Sequence, residues 1–204
     1  MQKHPNPQVL SDIAEHSENT YLYSIGKKYI KHAHKYLTEQ QVNNIFLAAE
    51  KAYYRYTPLN RFFTIHYNGY ADPKNPQKFV TDILAKTRKW LQYRGFPVSY
   101  VYVIESGKMK GIHVHILLHI PEHYQREYKK ALKRWLPFEW TKTTVNVKPI
   151  KHPQYGDLSP LHTLYGFLRY ICKGIDPAKP IFGINPKYQG EIYGQRWGIS
   201  ESLR

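Results

Sequence analysis

The chain has 204 residues with thirty Lys and Arg against fifteen Asp and Glu, a formal charge of +15, and is 42% apolar and 15% aromatic. That length holds one domain with a full core and argues against a separate motor domain, while the charge and the nineteen Tyr and four Trp point to a nucleic-acid partner with unpaired bases. The single cysteine, Cys172, excludes an internal disulfide and a Cys-based zinc cluster, and with no secretion-signal core in MQKHPNPQVL and no membrane-spanning stretch the sequence reads as cytosolic, with no membrane partner.

Residues 1–57 form an expected N-terminal arm, polar at first, ending in a helix from Thr38 to about Tyr56 (TEQQVNNIFLAAEKAYYRY). A Thr N-cap with Gln three residues on signals its start. RFFTIHY (61–67) sets Phe62, Thr64 and His66 against Phe63, Ile65 and Tyr67, which is strand spacing. Phe79, Val80, Ile83, Leu84, Trp90 and Leu91 then recur at helical intervals up to Gly95. PVSYVYVIESG and GIHVHILLHI, joined by GKMKG, read as a hairpin. Pro121 opens a helix with Tyr124, Tyr128, Leu132 and Leu136 on one side and Arg126, Lys129, Lys130, Lys133 and Arg134 elsewhere, ended by Pro137. TTVNVKPI is a further strand, and Ser159-Pro160 opens a helix, LHTLYGFLRYICKG, that stops at Gly174.

The order β-α-β-β-α-β-α predicts an α+β fold, a mainly antiparallel sheet with helices packed on one face. Residues 58–176 make the expected core, and residues 177–204, rich in Gly and Pro, a tail packed on it as loops, the whole being one globular unit.

A hairpin centred near Met109 places Glu105 opposite His113 and Val103 opposite His115. Glu105, His113 and His115 then share one face, a set of two imidazoles and a carboxylate suited to a divalent ion such as Mn²⁺ or Mg²⁺. A lone His in a strand is more often a hydrogen-bonded sheet residue, whereas a pair two apart with a registered Glu favours a metal. His119 lies on the same face two pairs further along and reads as structural or DNA-facing, and His66 stays open. In YGFLRYICKG, Tyr170 and Lys173 share a helix face, and Gly166 leaves space one turn before the phenol.

RFFTIHY, then HVH on a hairpin, then YICK on the last helix resemble, in order and spacing, the three motifs of the HUH-superfamily endonucleases, above all the rolling-circle replication initiators of phages and plasmids. The resemblance spans about residues 58–176 and implies an HUH-endonuclease, ferredoxin-like arrangement. It implies His113 and His115 as metal ligands with Glu105 as the third, Tyr170 as the nucleophile that forms a 5′-phosphotyrosine, and Lys173 as a phosphate-contacting or orienting residue. The implied substrate is single-stranded or hairpin DNA, with Arg126, Lys129, Lys130, Lys133 and Arg134 holding an adjoining strand and a host helicase doing the unwinding. His66 departs from the family, which more often has a hydroxyl or apolar residue there. A single-tyrosine transposase of the same superfamily and a non-catalytic prophage DNA-binding protein are the alternatives. A histidine-triad nucleotide hydrolase fits less well, because Leu117 stands where its third His belongs. Tyr165 and Tyr170 lie about 140° apart around a helix, so one phosphate meets only one of them.

Overall fold

The computed structural model describes residues 33–67, 69–108, 110–151 and 159–204. The polar start of the arm, residues 1–32, and the hairpin centre Met109 lie outside the described residues. A short strand, β1 (Ala33–His34), leads into helix α1 (Glu39–Tyr54). At its start Thr38 Oγ1 accepts from the Gln41 amide at 3.2 Å and Gln41 Oε1 accepts from the Thr38 amide at 3.1 Å. This reciprocal pair satisfies donors that a helix start leaves over. Strand β2 (Arg61–His66) and helix α2 (Pro76–Gln92) follow, and Gly95 at φ 78° turns the chain back toward the sheet.

Strands β3 (Tyr100–Gly107) and β4 (Gly111–Leu118) form the hairpin, with Glu105 opposite His113 and Val103 opposite His115 as the hairpin symmetry requires. A 3₁₀ turn at Glu122–Tyr124 occupies the start of the helix expected from Pro121, and α3 (Gln125–Trp135) completes it. Strand β5 (Val145–Pro149), helix α4 (Ser159–Ile171), and strands β6 (Ile192–Tyr193) and β7 (Trp197–Ile199) finish the chain. Five strands in the order β5-β2-β4-β3-β7 make one sheet, antiparallel at every pairing, while β1 and β6 pair separately.

Two expectations are corrected. Helices cover both faces of the sheet rather than one: α1 and α4 pack on Phe62, Val101, Val103 and Leu117, and α2 and α3 on Phe63, Ile65, Ile104, Val114, Ile116 and Leu118. The reason is written in the strands, where runs such as YVYVI and ILL are apolar on successive residues and so present two faces that both need cover.

The tail is not all loop, because Trp197–Ile199 pairs with Val101–Val103 as the fifth strand. A three-residue strand carries too little alternation to be recognised alone. Its fit depends on glycine, since a Cβ at Gly198 would lie 2.5 Å from the Tyr102 ring. The buried guanidinium of Arg196 donates to the carbonyls of Lys35, Gln189 and Gly190, tying the tail to the segment before α1. Gly190 itself, at φ 74°, lies so close to β3 that a Cβ there would overlap the Ser106 carbonyl oxygen. Gly190→Ala is therefore expected to destabilise the fold by about 3 kcal/mol or more, through a left-handed backbone and a clash with backbone that has no rotamer to escape by. Urea unfolding checks this, and a loss below about 1 kcal/mol contradicts the contact.

Candidate metal centre and adjoining cleft

The hairpin register and the docking of α4 bring one set of polar side chains together on the α1/α4 face of the sheet. Glu105 comes from β3, His113 and His115 from β4, and Thr64 and His66 from β2, whose register places them opposite His115 and His113. Leu164, Leu168 and Ile171 anchor α4 in the same core, which puts Tyr170 and the following Lys173 over this group.

Glu105 is only 1% exposed, yet it is an ion with three nitrogen partners. His113 Nε2 lies 3.1 Å and His115 Nε2 3.3 Å from its Oε2. Lys173 Nζ lies 2.5 Å from Oε1 and 2.7 Å from Oε2. Burial alone drives a carboxyl up, but the bonds from both imidazoles and the charge of Lys173 outweigh it and hold Glu105 well below the usual carboxylate range. For His115 the balance goes the other way: burial outweighs the pull of Glu105 and lowers it to about 4, leaving a neutral ring. The Nδ1 of His113 faces the Gly111 carbonyl at 3.0 Å, and a carbonyl only accepts, so Nδ1 carries the hydrogen. The Nε2 of a neutral His113 then presents its lone pair to the centre. His115 Nδ1 meets the Thr64 hydroxyl at 2.9 Å, which fixes its ring in turn.

The ligand atoms of Glu105, His113 and His115 all lie within 4.8 Å of one another. Two imidazole nitrogens and a carboxylate on one side of a point, with second-layer hydrogen bonds orienting the rings, fit a divalent cation whose remaining positions stay open for oxygen ligands.

Tyr170 stands at the edge of this centre. Its ring is 5.1 Å from that of His115 and 6.1 Å from that of Phe62, and Lys173 Nζ is 4.1 Å from its centroid. Burial, and then the charge of Glu105, raise its phenol above the ordinary value. Tyr165 instead lies 5.9 Å from Phe46 of α1, directed away from the histidines. Gly166 has open space where a Cβ would be, and with Tyr170 it lines a cleft of roughly 850 Å³ that runs onto the sheet. Phe62 and Phe167 give this cleft apolar surface, while Lys110, Lys142 and Lys148 line it with positive charge.

His66, left open by the sequence, belongs here: its ring stacks on that of His113 at 4.9 Å, and it lines the cleft. The period-2 pattern of RFFTIHY put residue 66 on the face of Thr64, but only the pairing of β2 with β4 shows that this face is that of His113. His119 does not join the group and bonds the Pro58 carbonyl through Nδ1 at 2.8 Å. Arg126, Lys129, Lys130, Lys133 and Arg134 lie on α3, and that helix packs on the other face of the sheet through Tyr128 and Leu132. The fold therefore does not bring these five to the cleft.

An antiparallel sheet with helices on both faces, a His-x-His pair on a central strand and a buried Glu beside it is the arrangement of the HUH-type replication initiators, and the chain is similar to them. The family model for replication-associated proteins of the ORF2 and gene 2 protein type matches residues 60–155, a span that includes Glu105, His113 and His115 and ends before α4. None of the curated proteins or solved structures compared matches the chain. Among the described residues, no helix is long and apolar enough to cross a membrane.

Removing either imidazole is expected to weaken Mn²⁺ binding more than about hundredfold, because two of three donors do not enclose the ion. Isothermal titration of His113→Ala and His115→Ala reads this, and wild-type affinity in both variants refutes the site. A second expectation concerns acid. The unfolded ring of residue 115 takes up a proton near pH 6.5, whereas the folded ring refuses it down to about 4. The resulting stability is fully present above about pH 6.5 and lost as the pH falls toward 4. Glu105 adds a loss of the same sign lower down, since its folded carboxyl stays ionised below the unfolded value of 4.5. The thermal midpoint should thus drop between about pH 7.5 and pH 5, and His115→Gln should flatten that dependence. Identical pH profiles for the two proteins contradict a neutral buried His115.

Proposed function

We propose that this protein nicks and rejoins single-stranded DNA through a 5′-phosphotyrosine on Tyr170, the step that initiates rolling-circle replication of a phage or plasmid. The observation that carries the reading is the proximity of the Tyr170 ring, 5.1 Å from that of His115, to a centre of donors within 4.8 Å of one another. Glu105, His113 and His115 hold a divalent ion, Mn²⁺ or Mg²⁺. Such an ion supplies Lewis-acid polarisation of the scissile phosphate and orients it for in-line attack.

The Tyr170 oxygen attacks phosphorus and forms the new O–P bond. The bond to the 3′-oxygen breaks, the 3′-oxygen leaves and takes up a proton, and the phenol gives one up. Because burial and Glu105 hold the phenol in its protonated form, its proton departs only as the O–P bond forms. The Lys173 ammonium, beside both the ring and Glu105, is placed to orient the phenol and to offset charge at the phosphate. The phosphodiester energy is conserved in the tyrosyl link, so a later 3′-hydroxyl attacks it, restores the diester and frees Tyr170.

The cleft supports the choice of substrate. Phe62 and Phe167 offer surface on which unpaired bases stack, and Lys110, Lys142 and Lys148 answer the phosphates between them. The target is therefore single-stranded or extruded as a hairpin, and opening of the flanking duplex falls to another protein such as a host helicase.

Tyr170→Phe is expected to abolish the covalent protein–DNA adduct, while Tyr165→Phe keeps it, because Tyr165 faces α1. The measurement is a denaturing gel of the protein with Mn²⁺ and a pool of labelled single strands from the encoding element. Peptide mapping that found the DNA on Tyr165 would overturn the single-nucleophile mechanism.

A further inference from the structure

Helix α3 carries its cations in one stripe. At 100° per residue, Arg126, Lys129, Lys130, Lys133 and Arg134 fall within an arc of about 140°, over about 12 Å of helix. The opposite side buries Tyr128, Ala131 and Leu132. All five stripe residues are exposed. Among the described residues none of the five has an ion-pair partner, and the one acid between them, Glu127, is engaged by Arg94. A shallow groove of roughly 320 Å³ extends this charge to Arg61 on β2.

This surface differs from the cleft in kind as well as place. The cleft exposes aromatic rings among its lysines, whereas the rings of α3 and its preceding turn are committed to the core: Tyr128 is buried, and Tyr124 and Trp135 pack against the same cluster. A surface of cations without free ring faces recognises phosphates and has nothing on which to stack a base. Duplex DNA carries one charge per about 1.7 Å of axis, so a stripe of about 12 Å faces about seven phosphates. The geometry points to a second DNA site on α3, opposite the nicking centre, that holds the phosphate backbone of a duplex: the stem of an extruded hairpin or the double-stranded flank of the target. The identity of that DNA rests on the nicking function proposed above. The division of labour follows from the sheet, which separates the stripe from the cleft so that the two faces take different segments of one substrate.

The test is fluorescence anisotropy of the full chain, without metal, on a blunt duplex and on an unpaired strand of equal length. In Lys129→Gln/Lys130→Gln/Lys133→Gln/Arg134→Gln, duplex affinity is expected to fall at least about tenfold and the salt dependence to flatten by about three in slope, with a smaller loss for the unpaired strand. Lys142→Gln/Lys148→Gln is expected to show the reverse preference. A variant with Arg at positions 129, 130 and 133 keeps the charge and should keep duplex affinity, which separates charge from a folding defect. Equal losses for both DNAs, an unchanged duplex affinity, or wild-type binding of poly-glutamate as tight as that of duplex overturns the site. Because no cleavage is read, a protein that binds duplex through the stripe yet forms no tyrosyl adduct refutes the nicking reading and not this one.

Discussion

The carboxylate of Glu105 is the constraint around which the molecule is arranged. An ion taken to 1% exposure survives only if partners replace the water it has lost. Here they are two imidazoles from β4 and an ammonium just beyond α4, so the hairpin register and the seating of the last helix must both be right at once. A slip of one residue in the β3–β4 register would turn His113 and His115 to the α2/α3 face and leave the acid without them. The positive charge of Arg196, held in the tail, also bears on Glu105, so the segment that closes the sheet edge contributes to the same electrostatic balance.

The two cores divide the chain's work. The α2/α3 side of the sheet is dry and apolar along its length, from Phe63 and Ile65 to Ile116 and Leu118. The α1/α4 side is apolar only in part: Phe62, Val101, Val103 and Leu117 pack under the helices, and the remaining positions of the same strands become polar toward the hairpin end. That end is where Thr64, His66, Glu105, His113 and His115 stand. A rigid, fully packed face behind them allows the donors to be held without a loop to position them.

Much of this was legible in the sequence because it was local. The Thr38 capping box, the Gly95 stop and the register of a hairpin whose tip is five residues of GKMKG are each set within a few positions. Glu105, His113 and His115 could be brought together on paper for that reason. What was not legible depended on non-local pairing. Nothing near His66 says that β2 lies beside β4 rather than at an edge, and nothing in GQRWGIS announces a strand, since Trp197–Ile199 is held by its partner β3 and by the room Gly198 leaves for the Tyr102 ring. The basic residues of α3 were visible as a cluster, but the face they occupy is decided by which side of the sheet takes that helix.

The central position of β2 explains more than topology. It lies between β4 and β5, so its outward residues reach both the metal donors and the cleft floor. Thr64 orients His115 through Nδ1, His66 stacks on His113, and Phe62 stacks at 5.4 Å on the ring of His115 while forming part of the cleft. Each donor imidazole is thus braced by a β2 side chain whose other surface faces the place where DNA is proposed to lie. Contact with a base at Phe62 or His66 bears directly on the ring behind it. Occupancy of the cleft and geometry of the metal centre are in this way joined through single van der Waals contacts across two hydrogen-bonded strands, the shortest path by which a bound strand can act on the donors.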